Sequence, residues 1–118
     1  MDHRIEIKNR SRYRGSIHLV ACIAGHPVGR VDTTQLGNTA IIEEFVVQKP
    51  FRGRGIGSQL LRRAERIVKK QGASRIVRVG LFCETDSFGA WKTTVRHFAH
   101  NGYRNFGVIL SKNLKLPK

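Results

Sequence analysis

Acidic residues are scarce in this chain: 8 Asp and Glu stand against 22 Lys and Arg, a formal charge of +14. An excess of that size goes well beyond what solubility needs and points to a polyanionic partner. Cysteine is scarce too. Cys22 and Cys83 have no metal-ligand spacing, which argues against a disulfide framework or a zinc site and reads as two buried free thiols; no metal is implied. Long apolar runs are missing. The longest, Leu19 to Ala24, is too short to cross a bilayer, and an N-terminus carrying Asp2, His3, Arg4 and Glu6 is too charged for a signal peptide, so a cytoplasmic protein without membrane contact is expected. With 118 residues the chain has room for one domain, residues 1–118, and one modest core. It contains no repeat, low-complexity segment or linker.

What is present is concentrated between Ile41 and Lys70. Ile41, Ile42, Phe45, Val46 and Val47 predict a strand, ended by Pro50. Leu60, Leu61, Ala64, Ile67 and Val68 recur at helical spacing, with Arg62, Arg63, Arg66, Lys69 and Lys70 on the opposite face and Gly72 as a stop. Between strand and helix lie Gly53, Gly55 and Gly57, alternating with Arg52, Arg54, Ile56 and Ser58. Small residues at a helix start leave amides bare at a positive dipole end, a place that binds phosphate. Arg52 and Arg54 add bidentate donors that suit a pyrophosphate. The loop is not a Walker A motif, because no Lys-Ser/Thr pair closes it. Nor is it the dinucleotide fingerprint, because Ser58 occupies the last glycine position and no acid follows about 20 residues later.

Along the rest of the chain, residues 4–9 alternate as an edge strand and Arg10 to Gly15 form a basic connector. Ile17 to Ala24 predict a strand, Gly25-His26-Pro27 a turn and Val28 to Asp32 the returning strand, an antiparallel meander. Arg75 to Phe82 predict a strand parallel to the one at 40–48, reached by a right-handed crossover through the central helix. Ligands of such units bind at the carboxyl ends of the strands, beside the helix N-terminus. Ser87 to His100 predict a second helix with Phe88, Trp91, Val95 and Phe98 on one stripe, and Tyr103 to Leu110 close the sheet.

The run Arg52-x-x-Gly55-x-Gly57 after a strand ending Phe45-Val46-Val47 resembles the acetyl-CoA loop of the GNAT superfamily of N-acetyltransferases. The match is close over residues 43–61 and loose elsewhere. The resemblance implies an α/β (α+β) fold: a GNAT-like mixed sheet with an antiparallel meander, one parallel strand-helix-strand crossover and a second helix. The family's usual first two helices are reduced or absent, since only Arg10 to Gly15 intervene where they belong. The closing hairpin also looks reduced, since Gly102 to Leu114 scarcely hold two strands and a turn. An acceptor side so shortened is open, which suits a macromolecule, and a second subunit in a homodimer can supply the missing wall.

The resemblance also implies acetyl-CoA as co-substrate, held by Phe45, Val46, Val47, Arg52, Gly53, Arg54, Gly55, Ile56, Gly57 and Ser58. Acetyl transfer needs an acceptor amine stripped of its proton, donors for the carbonyl oxygen, and a departing thiolate. A backbone amide near Val46 or Val47 serves the oxygen if the parallel strands splay there. Of the eight acids, Glu43, Glu44, Glu84 and Asp86 lie near that place, whereas Glu65 sits among arginines on the helix. Period-two geometry sends Glu43 and Glu44 to opposite faces, and Glu44 is the favoured base with Glu84 next; each has a plain alternative as the partner of a cation. Asp86 can instead cap the second helix. His97 to Tyr103 resemble the family's Phe-Tyr-x-x-x-Gly-Phe signature, but Phe98 stands where the tyrosine acid would be, leaving His97 or His100 as substitutes.

The sequence therefore predicts an acetyl-CoA-dependent N-acetyltransferase acting on a macromolecular amine: a protein lysine or N-terminus, or an aminoacyl-RNA. The alternative is a GNAT-fold binding module, weak or inactive in catalysis, that holds nucleic acid or an acidic protein on its basic surface.

Overall fold

The computed structural model describes residues 4–79, 88–106 and 109–114, with the backbone alone for 88–93 and 106. Seven strands and two helices follow in the order β1 (Ile5–Asn9), β2 (Ser16–Ile23), β3 (His26–Leu36), β4 (Thr39–Val47), α1 (Ile56–Lys70), β5 (Arg75–Val79), α2 (Phe88–His100), β6 (Arg104–Phe106) and β7 (Ile109–Asn113). A single 3-10 turn, Lys49–Phe51, joins β4 to the glycine loop. The strands form one mixed sheet in the order β1-β2-β3-β4-β5-β7-β6. Every pairing is antiparallel except β4 with β5. This is the expected mixed α/β architecture, and no helix stands between β1 and β2.

Both meander turns follow from glycine placement. Ala24 and Gly25 both have positive φ, 51° and 81°, which makes a tight two-residue hairpin between Ile23 and His26. The turn is thus one residue earlier than Gly25-His26-Pro27, and Pro27 lies inside β3. It is tolerated there because it faces Cys22, at a bulge after Ala21. β3 also runs to Leu36, four residues beyond the expected Asp32, because Thr33 to Leu36 continue to pair with β4 up to the Gly37-Asn38 turn. The closing segment, expected to be too short for a hairpin, does form one. β7 inserts between β5 and β6, and three residues suffice for β6 because it lies at the edge.

Ile17, Leu19, Val28, Val31, Ala40, Ile42 and Ile76 point to one face of the sheet, where they pack with Leu60, Leu61, Ala64 and Val68 of α1 and Phe98 of α2 in a single core. Both helices therefore cover the same face. The other face is polar, carrying Lys8, His18, Arg30, Asp32 and Thr34. Cys22 is a buried free thiol, and Cys83 lies outside the described residues.

Glu65 departs from the sequence reading. It does not lie among the helix arginines but points inward, 9 % exposed, accepting from Tyr103 Oη at 2.9 Å and Lys112 Nζ at 2.8 Å. Lys112 Nζ also donates to Asn101 O at 2.9 Å, so α1, the end of α2 and β7 meet at one carboxylate. Burial, then the charge of Glu65, push the Tyr103 phenol far above its ordinary range. Removing the carboxylate leaves a phenol and an ammonium without their acceptor, so Glu65→Ala should cost about 2–3 kcal/mol by urea denaturation. Phe98→Ala, which empties a fully buried ring site, should cost about 3–5 kcal/mol in the same assay.

Candidate active site

α1 begins where Gly53 and Gly55 take φ of +80° and +81°, a left-handed conformation that side chains rarely adopt. Gly55 is also the N-cap and has no side chain to offer the helix. The amides of residues 53–58 therefore donate to no acceptor among the described residues, and the first bond of the helix runs from Gln59 N–H to Gly55 O at 3.1 Å. A fan of bare N–H groups at the positive end of a helix is an anion cradle. Gly57 is small for a different reason. A Cβ there would lie 2.9 Å from Phe45 Cζ and 3.0 Å from His97 Nε2, so only glycine lets α1 approach β4 and α2 this closely.

The second feature is a strand edge that no described residue pairs beyond Ile42. Among the described residues β4 pairs with β5 from Thr39↔Arg75 to Ile42↔Arg78, and with β3 as far as Val47. A register shift with β3 lies at this point: Thr33 faces Ile42 and Asp32 faces Glu44, so Glu43 is an extra residue, a bulge. The buried Arg78 guanidinium fills the fork there, donating through Nη1 to Ile42 O at 3.0 Å and Glu43 O at 2.7 Å. Beyond it no described residue pairs with this edge. Gln48 N–H bonds Val28 O, so the even-numbered residues Val46 and Gln48 face β3, and the odd-numbered Phe45 and Val47 turn their N–H and C=O to the fork. Val47 O accepts from Arg52 Nε at 2.9 Å, as that parity requires. Val46 is thus excluded as an amide donor toward the fork, and its side chain is 45 % exposed. Ile56 can offer only its amide, because its side chain is core.

Arg52 and Arg54 flank the cradle from its exposed side. Arg54 lies over the Phe51 ring at 5.4 Å, and neither arginine meets a carboxylate among the described residues. The bulge also redirects the acids. Glu44 pairs with Arg30 and Glu43 accepts from Thr34, both on the polar face of β3. The two carboxylates therefore share one face just past the fork, where strict alternation had placed them on opposite faces. Arg30 also approaches Asp32 at 3.9 Å, and Asp32 accepts from or bonds His18 Nδ1 at 2.8 Å, so Glu44 ends a chain of paired groups. Glu84 and Asp86 lie outside the described residues, as does the Trp91 side chain.

On α2 the two ring positions divide. Phe98 is fully buried, edge-on to Phe45 and to Tyr103. His97 stacks on Phe45 at 5.5 Å, and its Nε2 is buried without a hydrogen-bond partner among the described residues. Burial, then the nearby His100, lower its pKa from the ordinary 6.5, which favours the neutral ring. His100 itself is exposed in the last turn. No group of three or more potential metal ligands occurs among the described residues.

The sequence profile of the Acetyltransferase (GNAT) family matches residues 2–98. The chain is a member of the GNAT family. Solved structures of low sequence identity share its fold. A Klebsiella pneumoniae protein bearing the name acyl-CoA N-acyltransferase superposes with a TM-score of 0.79 at 12 % identity, covering 97 % of this chain and 100 % of its own. An aminoglycoside 6'-N-acetyltransferase in complex with coenzyme A gives 0.70 at 18 % identity, covering 89 % and 76 %. The ribosomal-protein-S18-alanine N-acetyltransferase of Escherichia coli gives 0.70 at 11 %, covering 91 % and 74 %. No curated protein sequence matches significantly.

Gly57→Ala should force the Phe45 and His97 rings apart, at a cost of about 1–3 kcal/mol measured by urea denaturation. The lowered pKa of His97 has a sign. Between that lowered value and 6.5 the unfolded chain binds more protons than the folded one, so stability falls as pH drops through this window. His97→Gln should flatten the urea midpoint across it.

Proposed function

We propose that this GNAT protein transfers the acetyl group of acetyl-CoA to an amine on a macromolecule, a protein lysine or N-terminus ahead of an aminoacyl group on RNA. The reading is carried by one continuity: the edge of β4 at Phe45 and Val47, which no described residue pairs, leads toward the bare amides of residues 53–58. From Ile42 to Val47 that edge spans about 17 Å, room for an extended arm whose amides pair with a strand. Acetyl-CoA fits this donor set in kind, since it has a diphosphate for the cradle and for Arg52 and Arg54, and an amide-bearing arm for the edge.

When bound, acetyl-CoA supplies an activated thioester; the chain's own groups do the rest. Phe45 N–H, the first open-edge amide beyond the fork, stabilises negative charge developing on the carbonyl oxygen. Glu44 takes the proton that the acceptor ammonium must lose, and Glu43, on the same face, is its nearest alternative among the described residues. Glu84, outside the described residues, remains a candidate. Phe98 has no proton to give, so on α2 the buried His97 Nε2 and the exposed His100 are the groups left to exchange one. The sheet face that carries Glu43 and Glu44 has neither described helix over it, an opening that suits an acceptor too large for an enclosed pocket; the S18-alanine acetyltransferase of similar fold, by its name, has a protein acceptor.

Acetyl-CoA at about 100 times its dissociation constant should stabilise the protein by about 2.7 kcal/mol, read as a rise in melting temperature. Arg52→Ala with Gly55→Glu should abolish that rise, and no rise at about millimolar acetyl-CoA in the parent would end the proposal. With a lysine-rich peptide as acceptor, Glu44→Gln should lower kcat/KM about 10²- to 10⁴-fold while the melting shift persists. An unaltered rate would transfer the role to Glu43 or Glu84. The phenylalanine at position 98 favours a second reading, a GNAT fold kept for binding, which would give the melting shift without turnover on any amine.

A further inference from the structure

The far end of α1, about 21 Å from the glycine loop, carries a second surface that acetyl transfer does not use. Ser11, Arg12, Tyr13, Arg14, Lys70 and Gln71 line an open cleft of about 520 Å³. Its described lining holds three cations and no carboxylate. Of the described acids, four are engaged elsewhere, Asp32 with His18, Glu43 with Thr34, Glu44 with Arg30, and Glu65 with Tyr103 and Lys112, and the fifth, Glu6, stands on β1 outside the lining. The charge continues beyond the cleft. Arg62, Arg66 and Lys70 follow at intervals of four along the exposed ridge of α1, about 6 Å apart, with Arg63 beside them.

The cleft is held in shape by hydrogen bonds. Ser16 N–H bonds Tyr13 O at 3.2 Å and Gly15 has φ of +91°, so Tyr13 to Ser16 form a tight turn whose third position needs glycine. Gln71 ties that turn to the end of α1 by accepting from Gly15 N–H at 3.3 Å. Gln35 ties it to β3, since its N–H donates to Gly15 O at 2.7 Å and its Nε2 to Gln71 O at 2.9 Å. On this fixed turn the Tyr13 ring is 71 % exposed, between two exposed arginines. An acidic peptide needs the cations but not the ring. A chain of phosphates with accessible bases uses both, the ring as a stacking plate and the cations as a backbone track.

We propose that this cleft, continued by the cationic ridge of α1, binds single-stranded nucleic acid. Phosphates lie along Lys70, Arg66 and Arg62 and at Arg12 and Arg14, and a base stacks on Tyr13. The proposal requires neither acetyl-CoA nor turnover, so its failure would leave the transferase reading intact.

The test is fluorescence anisotropy of a labelled oligouridylate with the whole protein across a salt series. The parent should bind at about 50 mM salt and lose affinity steeply as salt rises. Replacing Arg12, Arg14 and Lys70 by alanine should lower the slope of log affinity against log salt by about 2, since each lost phosphate contact removes about 0.7 on a single strand. Tyr13→Ala should weaken binding about tenfold, the loss of one stacked base. All four side chains are exposed, and the variants should keep the parent's melting temperature. An oligothymidylate that binds equally supports a reader of either nucleic acid, and a weaker one supports an RNA reader that contacts the 2'-hydroxyl. The proposal is overturned if the oligouridylate does not bind in dilute salt, or if the variants bind like the parent. It is likewise overturned if duplex RNA binds more tightly with no effect of Tyr13→Ala, or if polyglutamate competes as well as the oligonucleotide.

Discussion

Among the described residues the two parallel strands at the centre of the sheet share their last pair at Ile42 and Arg78, and the candidate site lies just beyond it. A strand in the middle of a sheet ordinarily has both edges satisfied. Here one extra residue, Glu43, turns β4 out of register with β3, and Arg78 occupies the fork by donating to Ile42 O and Glu43 O. The next positions on that side, Phe45 and Val47, have no strand partner among the described residues. The same bulge swings Glu43 and Glu44 onto one face, so a single irregularity sets both the course of this edge and the pair of acids beside it.

Packing holds this edge near the helix mouth. Gly57, Phe45 and His97 interlock so closely that a single added methyl group would collide with both rings. Phe98 backs Phe45 from within the core, and the Schellman turn at Gly102 closes α2 by returning Tyr103 N–H to Phe98 O at 3.0 Å. Tyr103 then reaches Glu65 on α1. A continuous run of contacts thus connects the end of α2 to the helix whose first turn forms the anion cradle.

Charge is distributed with equal economy. The few acids that the structure describes are nearly all consumed in pairs on the polar sheet face or inside the protein, and none of them pairs with the exposed ridge of α1 or the β1–β2 connector. In the family pattern that connector would be two helices. Here it is a compact turn carrying Arg12, Tyr13 and Arg14, tied to the end of α1 through Gln71.

Sequence alone determined what local chemistry dictates. Alternating glycines between a β-branched run and a helical stripe favour a bare helix start, and the spacing of apolar residues predicts most of the strands and both helices; the GNAT fold was legible through the resemblance of Arg52-x-x-Gly55-x-Gly57 to that family's loop. Turn positions and strand ends were legible only within a few residues, because Pro27 beside a bulge and a three-residue edge strand depend on the neighbour they pair with. The tertiary structure decided the rest. A bulge exists only as a mismatch between two strands, so the shared face of Glu43 and Glu44 and the exclusion of Val46 from the fork could not be read from one strand. Glu65 looks like a surface carboxylate among arginines until Tyr103 and Lys112, remote in the chain, are folded against it. The cleft at Tyr13 likewise needs residues 11–14 and 70–71 to meet, and only the packed sheet and helix bring them together.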